Sequence, residues 1–220
     1  MHKYTGPHDY FNNHYVDEWV SVANSKRPFR HAFFAAFTEE LKELDHPRVL
    51  DIGSGPGFLA EQVLTECDVA SYHLFDFSPR MMELSRERLE AFGGKTVFHE
   101  GSFLEDGWWR SLPGPFDAIV SLQAVHEVRE RIRIPGLYGE LRLLLRPGGV
   151  ILIADQVNEG EKQEEQFLTV DEHRTALKDA GFESVRIVHE EGDLAMLEGV
   201  ASLQDSTKVN SRKKHTGDTG

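Results

Sequence analysis

Residues 48–57 read Arg48-Val49-Leu50-Asp51-Ile52-Gly53-Ser54-Gly55-Pro56-Gly57, a short apolar run that ends in a carboxylate and breaks into alternating glycines. Apolar residues from Phe58 to Glu66 then repeat with helical spacing. The stretch therefore predicts a strand, a glycine loop and the start of a helix. Glycines in such a loop let the backbone turn sharply and approach a ligand closely, and the helix start offers free N–H groups. A second signal lies at Asp76, where His73-Leu74-Phe75-Asp76 ends the next apolar run. An acidic side chain at that place can hydrogen-bond both hydroxyls of a ribose, and it would repel a 2′-phosphate. The loop has the spacing Gly-x-Gly-x-Gly, whereas dinucleotide sites use Gly-x-Gly-x-x-Gly. Asp51 also suits a ligand with an ammonium group better than a pyrophosphate. A turn that only eases strand-to-helix packing remains the plain alternative.

Outward from this stretch the chain alternates. Strands are expected at Arg48–Asp51, Val69–Asp76, Thr96–His99, Phe116–Ser121 and Val150–Asp155, and helices at Phe58–Glu66, Pro79–Phe92 and Leu137–Leu145. Gly93-Gly94 and Pro147-Gly148-Gly149 are read as helix stops. Continuous apolar strands alternating with helices predict an α/β fold, a doubly wound and mostly parallel sheet with helices on both faces. A helix at Val170–Ala180 is followed by strands at Glu183–His189 and Leu194–Val200, joined by Glu190-Glu191-Gly192-Asp193. That link is short enough only for an antiparallel hairpin. Before the sheet, residues 8–44 read as helical, with Phe11, Tyr15 and Trp19 at i, i+4 and i+8. The organisation is thus a helical segment over 1–46, a domain over 47–200 and a polar tail over 201–220 expected to be disordered.

Composition narrows the class. At 220 residues, 40% hydrophobic and 28% charged, the chain reads as globular and long enough for one core. Cys67 is the single cysteine, which rules out an intrachain disulfide and argues against a cysteine zinc site. The net charge is −13, and the last twenty residues hold four basic and two acidic side chains, so residues 1–200 carry −15. Such a body repels a phosphate backbone, so nucleic acid is not the expected partner. No apolar run is long enough for a membrane helix, and the first residues lack an apolar signal core. A cytoplasmic protein without a membrane partner is the expectation. Eleven histidines are scattered without H-x-x-x-H or H-E-x-x-H spacing, so no metal site is expected.

These motifs together resemble the class I S-adenosylmethionine-dependent methyltransferases over residues 47–200. Val49–Gly57 resembles their first motif and Leu74–Ser78 their acidic second-strand motif. Phe116–His126 resembles their fourth strand, Leu144–Asp155 the turn into their fifth, and Ala180–Val185 with the hairpin their C-terminal end. The resemblance implies a seven-stranded sheet with one antiparallel strand, and S-adenosylmethionine as cofactor, giving S-adenosylhomocysteine. It implies that Gly53, Ser54 and Gly55 line the methionine part, with Asp51 near its amino group. Asp76 would hold the ribose, and Phe77 and Met81 would flank the adenine. Gly101, Ser102 and Phe103 would lie at the adenine amino group, where the family often has Asp in place of Ser102. Ser121 and Leu122 would touch the methionine part through backbone.

Methyl transfer from a sulfonium chiefly requires alignment, and a base only when the acceptor must lose a proton. His126, just past the fourth strand, is the candidate base. A histidine that packs and caps the next helix is the competing reading. Glu127 is not expected to orient it, because neighbours on a helix point apart. The aromatic segment Tyr10–Trp19 reads equally as a lid or as a packed stripe. Lys26–Arg30 and Arg129–Arg133 read first as solvated faces and second as contacts for an anion. Trp108-Trp109 is expected to pack a short helix.

After the fourth strand the chain has Ser121-Leu122-Gln123-Ala124, not the Asn-Pro-Pro-Tyr pattern of methyltransferases acting on adenine or glutamine. No C-x-x-C supports thiol-relay chemistry. The link between Asp155 and Val170 is short, which leaves the N-terminal segment as the expected lid. The reading is an enzyme methylating O or N of a small molecule. Its rivals are a protein or RNA methyltransferase with an open site, a non-catalytic S-adenosylmethionine-binding module and, more distantly, an NAD-dependent enzyme.

Overall fold

The computed structural model describes residues 8–158 and 167–203. Seven strands form one sheet: β1 (Arg48–Ile52), β2 (Ser71–Asp76), β3 (Thr96–Glu100), β4 (Phe116–Leu122), β5 (Leu145–Gln156), β6 (Phe182–Glu191) and β7 (Leu194–Ala201). Their spatial order is β3-β2-β1-β4-β5-β7-β6. β1 to β5 pair in parallel, and β7 runs antiparallel to both β5 and β6. This is the expected doubly wound sheet with one reversed strand. The strand order switches direction between β1 and β4, so a crevice opens at their carboxyl ends.

Six helices flank the sheet: α1 (Asn13–Lys26), α2 (Arg30–Lys42), α3 (Phe58–Glu66), α4 (Pro79–Arg88), α5 (Ile134–Leu144) and α6 (Val170–Asp179). Because strand side chains alternate between faces, each central strand feeds two cores. Leu50, Ile52 and Ile119 pack with Tyr138, Leu141 and Leu177 of α5 and α6. Val49, Ala118 and Val120 pack with Phe33, Phe37, Leu41 and Val63 of α2 and α3. Asn12 caps α1 by accepting from His14 N and Tyr15 N, Ser78 caps α4, and Thr169 with Glu172 forms a capping box on α6.

Several boundaries differ from the expectation for local reasons. The helical reading over 8–44, with its second amphipathic run at His31–Leu44, corresponds to two helices that start at Asn13 and Arg30; they are separated at Arg27-Pro28-Phe29, where proline lacks the N–H that a helix interior needs. The helix expected to stop at Pro147-Gly148-Gly149 ends earlier, at Leu144, and those residues belong to β5. Gly148 adopts φ +75°, and a Cβ at Gly149 would lie 3.0 Å from the Arg146 and Asp117 carbonyl oxygens. The hairpin strands are longer than read, so the turn is only Gly192-Asp193. α4 ends at Arg88, and Glu90–Phe92 tightens into a 3₁₀ turn. Trp108 is buried in a 3₁₀ turn, packed on Phe75 with ring centroids 4.9 Å apart, and its Nε1–H donates to Glu140. The tail expected to be disordered lies, from residue 204, outside the described residues. Among the described residues no helix is long and apolar enough to cross a membrane.

Phe37 is fully buried between α2 and the sheet. Phe37→Ala is expected to cost about 3–5 kcal/mol of unfolding free energy. Urea titration should show a lower midpoint with an unchanged slope.

Candidate active site

A cavity of about 420 Å³ lies at the carboxyl ends of β1, β2 and β4, within the ~300–1,000 Å³ typical of small-molecule sites. Its floor is the glycine loop. Gly53 N and Ser54 N donate to Phe75 O at 2.8 and 3.2 Å, and Gly55 N donates to Asp76 Oδ2 at 2.9 Å. Gly53, Gly55 and Gly57 have φ of +69°, +54° and +79°, angles that favour glycine. A Cβ at Gly53 would meet the Ala124 Cβ at 2.2 Å, whereas one at Gly55 would project into open space. The loop is therefore packed hard against the turn that follows β4 on one side and has open space on the other.

Two carboxyls are buried at this floor. Asp76 also accepts from Ser78 N at 2.8 Å through Oδ1, so both of its oxygens are fixed. Burial raises its pKa to about 6 against those backbone donors. Asp51 accepts from the Tyr72 hydroxyl at 2.9 Å. Its burial, partly offset by Tyr72 and reinforced by Asp76, lifts it to about 7.

Phe77, Met81, Gly101, Phe103 and Leu122 also line the cavity, together with Gly53, Ser54 and Gly55. Two sequence candidates do not line it. Ser102 turns back to accept from Leu104 N at 3.2 Å, which holds its own loop. Ser121 is fully buried, its hydroxyl donating to Ile52 O at 2.9 Å across β1 and β4. Both hydroxyls are thus used within the fold.

His126 stands on the wall in a 3₁₀ turn after β4 (Val125–Val128). Its Nδ1 lies 2.5 Å from Asp155 Oδ1, and its backbone N donates to Asp155 Oδ2 at 2.9 Å. Asp155 is 2% exposed. Burial alone would raise its pKa, but His126 outweighs that and holds it below the usual value, so it is ionised. An ionised carboxylate only accepts, so in the neutral imidazole of His126 Nδ1 carries the proton and Nε2 is the acceptor. Burial likewise pulls His126 down, and Asp155, seconded by Glu127, more than compensates to hold it above 6.5. Glu127 is 3.8 Å from Nε2 and does not orient the ring. Asp155 was missed in the sequence, although a lone charge closing the most apolar strand was a usable signal.

Residues of the N-terminal segment also line the cavity. His8, Tyr10 and Trp19 line it, and Tyr10 and Phe11 pack on Phe77 with centroids 6.1 and 5.3 Å apart. Ser78 Oγ donates to Tyr10 O at 2.6 Å, and Arg80 pairs with Asp17 at 2.8 Å. The aromatic stripe is not core, since Phe11 is 56% exposed and only Val16 and Ala23 of α1 are buried. The segment is not the only cover. Phe167, from the link before α6, lines the cavity and stands edge-on to His126 at 5.5 Å. The basic clusters are not simply solvated faces either, because Arg27, Arg30 and Arg129 line the cavity and Arg30 is buried. Gln123, at φ +57°, also lines it with a buried and unpartnered Oε1.

Residues 49–149 match a family model described as a methyltransferase domain. The release factor glutamine methyltransferase of Deinococcus radiodurans is 40% identical over 83 residues, 38% of this chain and 28% of that protein. The malonyl-[acyl-carrier protein] O-methyltransferase of Magnetococcus marinus is 30% identical over 110 residues, 50% of this chain and 38% of that protein. Among solved structures, PigF with S-adenosylhomocysteine superposes with a TM-score of 0.69 at 19% identity, covering 87% of this chain and 60% of that one. Each match spans less than two thirds of the relative's own length. The matched segment is thus similar to a methyltransferase domain, the fold is shared with PigF, and the cavity at the switch point is where the expected S-adenosylmethionine would lie.

The residues present fit that cofactor. Gly55 leaves a cradle that any Cβ would intrude on, two buried carboxyls face it, and the unpartnered Ser54 Oγ and Gln123 Oε1 point to a polar occupant. Asp51 and Asp76 retain protons to higher pH in the folded, ligand-free protein than the ~3.9 of an unfolded chain. Their contribution to stability therefore falls as pH rises from about 4 to 7. A cationic ligand that draws on the ionised forms gains affinity over that same rise. The thermal shift produced by S-adenosylhomocysteine should grow from about pH 5.5 to about pH 8, and Asp51→Asn should flatten the dependence. A pH-independent shift in the parent protein would contradict these assignments.

Proposed function

We propose that this protein is an S-adenosylmethionine-dependent methyltransferase acting on O or N of a small molecule, with His126 as the base. The observation that carries the reading is the His126–Asp155 pair on the wall of the cavity that Asp51 and Asp76 floor. S-Adenosylmethionine would supply an electrophilic methyl group on its sulfonium. Asp76 would hold the ribose hydroxyls, Phe77 and Met81 the adenine faces, and the loop from Gly53 to Gly55 the methionine chain. His126 Nε2 would take the proton of a hydroxyl or ammonium acceptor, and the resulting imidazolium would rest against Asp155. Asp155 is a positioning residue, since it fixes the tautomer and orientation without reaching the acceptor.

Enclosure supports a small acceptor. Tyr10, Trp19 and Phe167 give the cavity aromatic walls, which suits a small molecule that enters it. Protein methylation is the second reading, because the Deinococcus relative is named for a glutamine in a release factor. Against it, residues 121–124 are Ser-Leu-Gln-Ala, without the Asn-Pro-Pro-Tyr pattern.

Methyl-labelled S-adenosylmethionine should be incubated with the protein and an extract of its source cells, and the label partitioned among small molecules, protein and nucleic acid. Label in the small-molecule fraction, lost with Asp76→Ala, is the expected result; label in protein would favour the second reading. Asp76→Ala should weaken S-adenosylhomocysteine binding by about 1.5–3 kcal/mol, the range for hydrogen bonds to a charged group. Once the acceptor is known, the rate should fall as pH drops through the His126 pKa. Asp155→Asn should lower kcat and move that limb to lower pH, because the charge that raises the imidazole is gone. A limb unmoved in Asp155→Asn would remove His126 as the base.

A further inference from the structure

Arg30 is the first residue of α2 and is 6% exposed. Its guanidinium lies 5.8 Å from the Trp19 ring, 5.6 Å from Phe34 and 6.0 Å from Phe58. Its Nε and Nη1 are buried without a hydrogen-bond partner, and among the described residues no carboxylate pairs with it. Burying an unpaired cation is costly. The position gains nothing from the helix either, since the N-terminal end of a helix carries a partial positive charge. Arg27 sits close enough to disfavour the charge further, and burial together with that neighbour pulls the Arg30 guanidinium down to about 10. A chain of net charge −13 nonetheless leaves this cation without an acid and turns it into the cavity.

We infer that Arg30 binds the α-carboxylate of the methionine part of S-adenosylmethionine, an inference that rests on the cofactor assignment above. An α-amino acid carries its ammonium and carboxylate on one carbon, so a site that reads both needs an anion and a cation side by side. Asp51 supplies the anion. Arg30 supplies the cation at the same end, because its guanidinium packs on Phe58, the residue that follows the glycine loop into α3. Guanidinium is suited to the task, as its N–H groups form a planar fork that matches a carboxylate.

The test compares S-adenosylmethionine with its decarboxylated form, which differs only by the carboxylate, using calorimetry on the full chain. The parent protein should bind S-adenosylmethionine about 10- to 100-fold more tightly than the decarboxylated form. Arg30→Met should lose that advantage while binding the decarboxylated form as the parent does, which also shows that the variant is folded. Arg30→Lys should recover part of it, since a single ammonium keeps the charge and loses the fork. Equal binding of the two ligands by the parent would overturn the inference, as would an equal loss for both in Arg30→Met. An Arg30→Met protein that still prefers S-adenosylmethionine would place the guanidinium against another anion, such as an acceptor carboxylate. If the parent bound neither ligand, the cofactor assignment would fall first and this inference with it.

Discussion

The carboxyl end of β2 holds the site together. Phe75 O accepts from Gly53 N and Ser54 N, Asp76 Oδ2 from Gly55 N and Oδ1 from Ser78 N, and Asp76 O from Gly101 N. Three separate turns, after β1, β2 and β3, are thus hung on two consecutive residues. Parallel strands cannot be joined by tight turns, so these turns are brought together only by the sheet register, in which Ile52 stands beside Phe75 and Asp76 beside Glu100. Ser78 extends the arrangement one step outward, capping α4 and giving its hydroxyl proton to Tyr10 O. The N-terminal cover is therefore fastened to the same two-residue span that shapes the floor.

That construction separates what was legible in the sequence from what was not. That Asp51, Gly53, Gly55 and Asp76 gather at one cavity was legible because their places are set by the backbone, a strand end followed by a turn. The sheet was legible for the same reason, since apolar strands and glycine turns are local signals. Asp155 and Arg30 escaped because their meaning depends on what faces them. Asp155 is 29 residues from His126 and reaches it only because β5 pairs with β4, with Leu122 beside Ala154. Arg30, within the basic run Lys26–Arg30, looks like any other solvated charge until α2 packs down through Phe33, Phe34 and Phe37 and carries it inward. Ser102 and Ser121 differ from the other candidates in that neither lines the cavity, and the hydroxyl of each has a partner within the fold.

The two ends of the cavity use buried charge differently. At the acceptor end the charges answer one another. The Asp155 carboxylate is stabilised by the imidazole it orients, and the pair is complete without a ligand. At the cofactor end they do not. Asp51 and Asp76 are driven toward their neutral forms by burial, and Arg30 is held among aromatic rings without a counterion. Unsatisfied buried charge is the arrangement that a zwitterionic, cationic ligand can satisfy at several points together. The cofactor end is thus the part of the fold whose stability depends most on being filled.

This asymmetry bears on the order of events at the site. On the assignment proposed, filling the cofactor end would pair Arg30 and draw Asp51 and Asp76 to their ionised forms, and Arg30 lies against Trp19 on α1. α1 itself contributes only Val16 and Ala23 to buried structure, so its position owes more to these contacts with the site than to the core. His126 needs no such help, because Asp155 fixes it from within the sheet. If His126 is the base proposed, it is held by the fold itself, whereas the proposed cofactor end would be completed by its own ligand, and the two would be aligned for an acceptor once that ligand is in place.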